Sequence, residues 1–491
     1  MNLSPARPPR PKFPSYVDAV LRHALHDPYR AAIGTEAGIL SYGQLAEAIA
    51  IASMRCGLAG IGPRSIVGLI ITDPVWHICL VCALHKVGAV SVSISQGEAN
   101  LDLGFDYIMF DREKPTGFRG VAHHIEPDWF SEARGATMVP SFQFAPTDLC
   151  RIALSSGTTG VPKAFAMGPE ILWHRFTTYN LRSRFGISEK VLCGPQMRSH
   201  FAFAIIFAAL LSGKMVCFST SAGETMPIVS YFGVDQAIIS VHQLGELADA
   251  QQRQFGGLSS LREIQAGGSL ISDTLLRKVR SVISCPLLNT YASTEAGTAA
   301  LADVGALGEF REQGAVGYIT AWSEVAICDD DGLELPAGEP GNLRISAIGM
   351  AAPYQQGMTT VVEPVSFFPG DYGRIAPNRM LFIRGRTTEL INIGGNKIAP
   401  ERLEQVIMEC EGVKDAAVFT ADVNADFPQI WAAVVAGPTF DPKQVIQRCA
   451  ERSRVTTPTV IKVVKEIPRN TTGKIMREEL RKRLTSEGSV S

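Results

Sequence analysis

The feature that most constrains the fold is a regular alternation, over about the first two-thirds of the chain, of short apolar runs with helical periodicity. Helical periodicity covers Tyr16–His26 and Tyr42–Leu58, and apolar runs cover Ser65–Ile71 and Gly88–Ile94. Strands that alternate with helices are typical of α/β layering. The later apolar runs are Leu149–Leu154, Met215–Ser219, Gln236–Ser240 and Leu261–Gln265. The pattern therefore predicts an α/β fold with a large, multi-layer domain of βαβ-type sheets.

The pattern changes twice further along the chain. Hairpin signals at Asp331-Gly332 and Pro340-Gly341 separate short alternating strands, which predicts a small β-rich subdomain. After Arg386 about a hundred residues have the pattern of a separate α+β unit. We predict a large N-terminal domain, residues 1–385, and a small mobile C-terminal domain, residues 386–491. The predicted C-terminal elements are helix Pro400–Glu411, strands Ala416–Thr420 and Ile430–Val435, helix Pro442–Ser453 and a basic final helix.

Charge and composition exclude several classes of partner. The chain has 46 Lys+Arg and 48 Asp+Glu, a formal net charge of −2 that provides no basic footprint for nucleic acid. The most apolar run, Phe201–Leu211, is much shorter than the ~20 residues of a membrane-spanning helix. The N-terminus runs from basic residues into prolines, which argues against a secretory signal. We expect a cytoplasmic monomer or homodimer that neither binds nucleic acid nor spans a membrane.

The ten cysteines show no disulfide-framework spacing, which favours reduced and mostly buried thiols. Cys79 and Cys82 form one CxxC inside the apolar stretch Trp76–Val90. Because no second pair completes a zinc site, we interpret these two cysteines as neighbours on a buried helix.

A strand-like run from Arg151 opens into a loop rich in hydroxyls and glycines that a lysine closes. Glycines let backbone N–H groups turn toward an anion, hydroxyls donate further hydrogen bonds, and the lysine adds a positive charge. A Walker loop is excluded because Pro162 and Ala164 flank the lysine. A flexible surface turn is the alternative interpretation. The candidate phosphate-binding residues are Ser155, Ser156, Gly157, Thr158, Thr159, Gly160 and Lys163.

The stretch Ser155–Lys163 resembles the phosphate-binding signature of the adenylate-forming superfamily, which groups acyl- and aryl-CoA ligases, peptide-synthetase adenylation domains and beetle luciferases. The chain most resembles the acyl- and aryl-CoA ligases, and the resemblance covers nearly its whole length. Six further segments match family motifs in order: Leu40–Leu45, Leu84–Val90, Asn289–Glu295, Pro369–Asp371, Gly385–Glu404 and Pro468–Lys474.

The resemblance implies that the chain uses ATP to activate a carboxylic acid. Attack of a carboxylate on the α-phosphate brings two anions together, so cations and oriented donors must offset their repulsion. By resemblance, Glu295 helps to hold Mg²⁺, a hard cation that takes carboxylate and phosphate oxygens, and Thr294 contacts the α-phosphate. Lys474 matches the mobile lysine that bridges the acid and the nucleotide. A lysine in a solvated basic tail is the alternative for Lys474.

The same resemblance assigns the other nucleotide contacts. Asp371 and Arg386 match positions that bind the ribose hydroxyls, and the Gly-Gly turn after Gln265 matches the one that frames adenine and the acyl group. The further nucleotide positions are Gly267, Gly268, Ser269, Asn289, Thr290, Tyr291 and Ile383.

Formation of a thioester with coenzyme A, the implied second step, requires the small domain to rotate in family members. The hinge position is Thr388, where relatives usually carry Asp or Lys, so the chain departs from the family there. Gly394 and Gly395 match a turn that lines the pantetheine tunnel, and Lys397 matches a position near the CoA phosphates, although a surface lysine is equally compatible with the pattern.

The segment from Arg198 matches the helix that forms the acid pocket of the family, with His200 at the gate. Amino-acid-activating members carry an aspartate where this chain has Ala202, and a buried ammonium without a partner is costly. The pattern therefore favours an apolar acyl or aryl acid. Phe203 is equally compatible with a core position. The predicted pocket residues are His200, Phe201, Phe203, Ser240, Gly267 and Ala292, the last at a position where relatives commonly carry Gly.

Three functions remain open. The first is an acyl- or aryl-CoA ligase that uses ATP, Mg²⁺ and coenzyme A. The second is a stand-alone adenylation enzyme that loads the phosphopantetheine arm of an acyl carrier protein. The third is a degenerate nucleotide-binding protein. The joint presence of five charged motif residues argues against this third function: Lys163, Glu295, Asp371, Arg386 and Lys474.

Overall fold

The computed structural model describes most of the chain, namely residues 14–118, 120–131, 140–155, 162–182, 184–219, 225–253, 257–311, 313–387, 389–393, 396–421, 429–452, 457–469 and 475–486. Within these ranges the α-helices are α1 (Tyr16–His26), α2 (Tyr42–Leu58), α3 (Pro74–Val87), α4 (Pro169–Asn180), α5 (His200–Leu211), α6 (Thr225–Phe232), α7 (Val241–Arg253), α8 (Asp273–Val282), α9 (Val304–Leu307), α10 (Pro400–Met408), α11 (Pro442–Arg452) and α12 (Arg477–Ser486).

The first strands of the described ranges are β1 (Ala31–Thr35), β2 (Gly38–Ser41), β3 (Ile66–Ile70), β4 (Val90–Ser93), β5 (Tyr107–Phe110), β6 (Val121–His124), β7 (Arg151–Ser155), β8 (Lys163–Met167), β9 (Lys190–Cys193), β10 (Met215–Cys217), β11 (Gln236–Ser240) and β12 (Glu263–Gly267). They are followed by β13 (Leu287–Ser293), β14 (Gly297–Asp303), β15 (Ala315–Ile319), β16 (Ser323–Cys328), β17 (Gly341–Ala347), β18 (Ala352–Pro353), β19 (Asp371–Ile375), β20 (Met380–Arg386), β21 (Ile391–Ile393), β22 (Asn396–Ile398), β23 (Val413–Ala421), β24 (Gln429–Ala436) and β25 (Val460–Val463).

The largest sheet among the described residues has 13 strands in the order β16-β17-β19-β20-β15-β14-β13-β12-β11-β9-β10-β1-β2. The strands from β13 to β1 pair in parallel, as a βαβ pattern requires. The strands from β14 to β16 pair antiparallel. The predicted β-rich subdomain is therefore hydrogen-bonded edge to edge with the parallel sheet through the β13–β14 pair.

A second sheet has the order β18-β8-β7-β4-β3-β5-β6. Its strands share one cluster of buried side chains with α1, α2, α3 and α5. Cys79 and Cys82 lie fully buried in α3, which confirms their interpretation as neighbours on a buried helix. The apolar run Phe201–Leu211 lies in α5, with ten of that helix's twelve residues buried. None of the described helices is long and apolar enough to cross a bilayer.

Local side-chain chemistry explains why the helices begin where they do. The predicted helices Tyr16–His26 and Tyr42–Leu58 are confirmed residue for residue as α1 and α2. Ser41 Oγ accepts from Gln44 N at 3.2 Å, and Gln44 Oε1 accepts from Ser41 N at 2.9 Å, so a capping box starts α2. At α5, Ser199 Oγ accepts from Ala202 N at 3.1 Å and gives the helix its N-cap.

The C-terminal α+β unit has its own core on both faces of the sheet β23-β24-β25. On one face, Leu403 and Ile407 of α10 pack in a buried cluster with Ile430 of β24. On the other face Trp431 contributes to a cluster that includes Leu480 of α12. A buried core of this kind is what a separate small domain requires, so the predicted small α+β domain is confirmed.

Candidate active site

The predicted phosphate loop lies between two antiparallel strands. β7 ends at Ser155, β8 begins at Lys163, and these two residues are register partners. Ser155 is half-buried and Lys163 is exposed. The hairpin therefore brings the two ends of the loop together, with a hydroxyl-bearing residue opposite a lysine. The other predicted loop residues lie outside the described residues: Ser156, Gly157, Thr158, Thr159 and Gly160.

Tyr291 and Arg386, both predicted to bind the nucleotide, contact the carboxylate of a third predicted residue, Asp371. The β19–β20 pairing sets Asp371 opposite Arg386, and Arg386 Nε lies 2.9 Å from Asp371 Oδ1. From β13, the Tyr291 hydroxyl donates a hydrogen bond to Asp371 Oδ2. Burial, and then the charge of Asp371, raises the pKa of Tyr291 well above its usual value. The phenol therefore stays protonated as a donor at neutral pH.

Thr294 and Glu295 lie in the turn between β13 and β14, and both are half-buried. Within the described part of the chain, the Glu295 carboxylate forms no hydrogen bond or ion pair. The main-chain carbonyls of both residues accept hydrogen bonds from Arg175 of α4. The sequence analysis did not single out Arg175, because its partners are carbonyl groups, which every residue type carries.

The predicted strand-end residues divide into buried and exposed ones. Gly267 is buried, and a Cβ there would lie 3.0 Å from the Thr290 carbonyl oxygen. The Thr290 hydroxyl accepts a hydrogen bond from Gln265 Nε2 at 2.8 Å, and Asn289 Nδ2 donates to Val316 O at 2.7 Å. The side chains of Asn289 and Thr290 therefore cross-link strands at this point.

The neighbouring turn residues are placed differently. Gly268 adopts a φ of +94°, a conformation that favours glycine, and both Gly268 and Ser269 are exposed. Ile383 lies on β20 and is half-buried, and its backbone N–H donates to Gly314 O at 2.9 Å.

The N-terminus of α5 carries a buried histidine. His200 is 5% exposed, and neither ring nitrogen has a hydrogen-bond partner among the described residues. Burial, then the charges of Arg175 and Arg151, lowers the pKa of His200 well below its usual value, which keeps the imidazole neutral. A neutral imidazole offers one donor and one acceptor.

The other predicted pocket residues differ in exposure. Phe203 is buried in the core, with its ring centroid 5.8 Å from that of His200, while Phe201 is half-buried. Ser240 Oγ accepts from Gln243 N at 3.1 Å, so its hydroxyl caps α7. Ala292 is exposed near the end of β13.

The predicted mobile lysine belongs to a loop whose two ends are pinned. Arg469 and Ile475 form an isolated antiparallel bridge, and Met476 N donates to Pro468 O at 2.8 Å. Lys474 itself lies outside the described residues, as do Thr388, Gly394 and Gly395. Lys397 lies on β22, and its side chain is outside the described part.

Arg477 connects the segment after the predicted hinge residue to the rest of the C-terminal unit. Arg477 Nη2 lies 2.8 Å from each Glu404 oxygen and 3.0 Å from Glu401 Oε1, while Nη1 lies 3.0 Å from Glu389 Oε2. Arg477 Nε also donates to Val418 O at 3.2 Å. The first described residue after Thr388 is thereby tied to α10 and β23.

The matches to family models span both regions of the chain. Residues 108–355 match the model of the AMP-binding enzyme, and residues 402–474 match the AMP-binding enzyme C-terminal domain. The chain belongs to the AMP-binding enzyme family. It is an adenylate-forming enzyme related to the acyl- and aryl-CoA ligases.

Curated and solved relatives of this AMP-binding enzyme match it over nearly the whole length. Indoleacetate–CoA ligase of Aromatoleum aromaticum is 24% identical, over 94% of this chain and 96% of its own. ATP-bound MatB from Rhodopseudomonas palustris has a TM-score of 0.84 at 20% identity, covering 96% of this chain and 99% of its own. O-succinylbenzoate coenzyme A synthetase (MenE) from Bacillus subtilis, in complex with ATP and magnesium ion, has a TM-score of 0.82 at 18% identity, covering 94% and 98%.

The residues present fit a magnesium nucleotide. The half-buried Glu295 carboxylate, which pairs with no group among the described residues, is the ligand type that Mg²⁺ prefers. The buried Asp371 carboxylate, oriented by Tyr291 and Arg386, is an acceptor suited to the two hydroxyls of a ribose. Lys163, at the mouth of the loop, carries the positive charge that a phosphate chain requires.

Proposed function

We propose that this AMP-binding enzyme converts an apolar acyl or aryl carboxylic acid and ATP into an acyl-adenylate and pyrophosphate, and then transfers the acyl group to coenzyme A. The observation that carries the proposal is the cluster of Tyr291, Asp371 and Arg386 at the junction with the small domain. Residues from two distant parts of the chain form this acceptor site next to the predicted hinge.

In the first step, a carboxylate oxygen of the acid bonds to the α-phosphorus, the bond to the β-phosphate breaks, and pyrophosphate leaves. We assign the β- and γ-phosphates to the 155–163 loop, with Lys163 at its end. Thr294 would contact the α-phosphate, and Lys474 would offset the charge between the acid and the nucleotide. Glu295 would hold Mg²⁺, which supplies further charge neutralisation when bound.

We assign the nucleoside to residues around the Asp371 carboxylate. Asp371 and Arg386 would hold the ribose hydroxyls, while Tyr291 and Ile383 would lie against the nucleoside. The turn residues would contribute backbone groups and small side chains around adenine: Gly267, Gly268, Ser269, Asn289 and Thr290.

The acid would lie against the N-terminal part of α5. Ala202, which stands where an amino-acid-binding carboxylate would be needed, is fully buried. An ammonium group there would have no partner at that position, so we propose an acid without an α-amino group. His200 and Phe201 would contact the acid at the mouth, with Phe203 behind them. Ser240, Gly267 and Ala292 would complete the lining.

In the second step, the thiolate of coenzyme A attacks the acyl carbon, the bond to the AMP oxygen breaks, and AMP leaves. Lys474 must vacate the site, so we propose that the small domain rotates about Thr388 relative to the large domain. Gly394, Gly395 and Lys397 would then approach the pantetheine arm and the CoA phosphates.

Contacts on both sides of Thr388 support this pivot. Thr387 N donates to Gly370 O at 2.8 Å, and Thr387 Oγ1 to Asn342 Oδ1 at 3.1 Å, so Thr387 is held by the large domain. Glu389, on the other side, is held by Arg477 of the small domain. We therefore place the pivot at residue 388, where rotation would break the two backbone hydrogen bonds that cross it, from Glu389 N and Leu390 N to Arg386 O, both 2.9 Å.

Stiffening this pivot tests the rotation. We expect Thr388→Pro to leave adenylation near the wild-type rate, because proline fixes φ near −65° without removing a charged group. Thioester formation should fall by about tenfold, which corresponds to ~1.4 kcal/mol in the barrier. Single-turnover assays of each half-reaction measure both rates, and Thr388→Ala is the control that keeps φ free. Normal CoA turnover in Thr388→Pro would refute the assignment of the hinge.

A screen of carboxylic acids tests the function itself. We expect apolar aliphatic or aromatic acids, but not α-amino acids, to stimulate pyrophosphate release from ATP, and coenzyme A to yield a thioester. Thioester formed only on a phosphopantetheinylated carrier protein would favour the stand-alone adenylation enzyme. No release with any acid would favour a nucleotide-binding protein without turnover.

A further inference from the structure

Arg175 is a buried cation that makes its hydrogen bonds to main-chain carbonyls. It lies on α4 with 4% of its surface exposed. Its Nε donates to Gly349 O at 2.6 Å, and its Nη2 donates to the carbonyls of Thr294, at 3.2 Å, and Glu295. Burial lowers the pKa of Arg175 only to about 10, so the guanidinium remains charged at neutral pH.

The turn is shaped around this guanidinium. Gly297 adopts a φ of +72°, and a Cβ there would lie 2.5 Å from Arg175 Nη1. The Glu295 carbonyl also accepts from Ala351 N at 2.8 Å, so it is held from two sides. Two successive carbonyls that converge on one nitrogen restrict rotation of their peptide units. The directions in which the Thr294 and Glu295 side chains leave the backbone are restricted with them.

Packing of α4 alone does not account for an arginine at this position. The buried side chains Ile171, Leu172 and Phe176 already pack this helix against the core. Burying a guanidinium costs desolvation energy that an apolar side chain would avoid. No described carboxylate is ion-paired with Arg175. What the guanidinium adds is a directed set of donors to the Thr294–Glu295 turn.

We propose that Arg175 is a positioning residue that holds the Thr294–Glu295 turn in the geometry needed to bind the magnesium nucleotide, and that it acts through the two carbonyls without touching the ligand. This inference rests on the proposed function, in which Glu295 holds Mg²⁺ and Thr294 contacts the α-phosphate. An arginine that served only to attach α4 would affect stability and leave metal-dependent nucleotide binding unchanged.

The test compares Arg175→Lys with Arg182→Lys. Arg182 is also 5% exposed, follows α4, and donates to Thr298 Oγ1, not to the Thr294–Glu295 turn. Affinity for a non-hydrolysable ATP analogue is measured by calorimetry with and without Mg²⁺, together with the melting temperature. Loss of a second-layer partner typically reduces metal affinity on the order of 10- to 100-fold.

We expect Arg175→Lys to weaken analogue binding at least about tenfold with Mg²⁺ and much less without it. Arg182→Lys should show comparable thermal destabilisation but wild-type metal dependence. Gly297→Ala provides a second variant, because its methyl group displaces the turn from the guanidinium while Arg175 is retained. It should show the same metal-dependent loss.

Two results would contradict these expectations, and they can be told apart. Unchanged Mg²⁺ dependence in both Arg175→Lys and Gly297→Ala would overturn the positioning role while leaving the proposed function intact. Absence of Mg²⁺-dependent nucleotide binding in the wild-type protein would instead refute the proposed function on which the role depends.

Discussion

Lys474→Ala is expected to slow acyl-adenylate formation by on the order of 10²- to 10³-fold, the effect of removing one donor aimed at developing charge. Thioester formation from supplied acyl-AMP should remain close to the wild-type rate. The reason is that only the first step places two anions against each other, and in the proposed mechanism Lys474 leaves the site before the thiolate enters.

The contacts that hold the two ends of the loop containing Lys474 do not depend on the Lys474 side chain. Arg469 Nη2 lies 2.8 Å from Asp415 Oδ1, and Arg477 is bound to Glu404, so both ends of the loop are held without Lys474. Lys465→Ala, at an exposed position of the same domain, removes the same charge and should leave both steps unchanged. Quench-flow measurement of each half-reaction decides the matter, and equal losses in both steps would contradict the proposed role.

The second large effect is expected at the Asp371 carboxylate of β19, which accepts a hydrogen bond from Tyr291 of β13. Asp371→Ala should weaken ATP binding by at least about 100-fold, since hydrogen bonds to a charged group contribute ~1.5–3 kcal/mol each and the ribose would lose two. It also leaves the Tyr291 hydroxyl and the Arg386 guanidinium without their shared acceptor.

Tyr291→Phe is the matched control for Asp371→Ala. It removes one donor to Asp371 and keeps the carboxylate, so its loss should stay below about tenfold. Calorimetry with a non-hydrolysable ATP analogue measures both variants, with the melting temperature monitored for each. An Asp371→Ala protein that folds and binds the analogue within about twofold of the wild type would show that ribose recognition lies elsewhere.

Much of the fold could be predicted because local signals and periodicity agree. The Ser41–Gln44 capping box marks the start of α2. The predicted helix Pro442–Ser453 contains α11, and its last residue lies outside the described residues. The predicted helix Pro400–Glu411 runs three residues beyond α10, which ends at Met408. The glycine that signals a helix end in the sequence, Gly412 with a φ of +77°, follows Glu411, whereas the helix ends earlier, so its end is harder to predict than its start.

The contacts within the candidate site depend on strand order, which periodicity does not contain. Tyr291 and Asp371 are 80 residues apart, and they meet although three strands, β14, β15 and β20, lie between β13 and β19 in the sheet order. Arg175 shows a different limit. In the sequence it is one charge within a helical segment, and its importance appears only when the carbonyls that it contacts are known.

In the first proposed half-reaction, an acid oxygen becomes bonded to the α-phosphorus of ATP. Turnover with an acid labelled with ¹⁸O in its carboxylate tests this most directly, with the label followed by mass spectrometry. We predict AMP that carries one ¹⁸O atom and pyrophosphate that carries none, because the carboxylate oxygen stays with AMP when the thiolate cleaves the acyl bond. Unlabelled AMP, or ¹⁸O recovered in inorganic phosphate, would contradict the account.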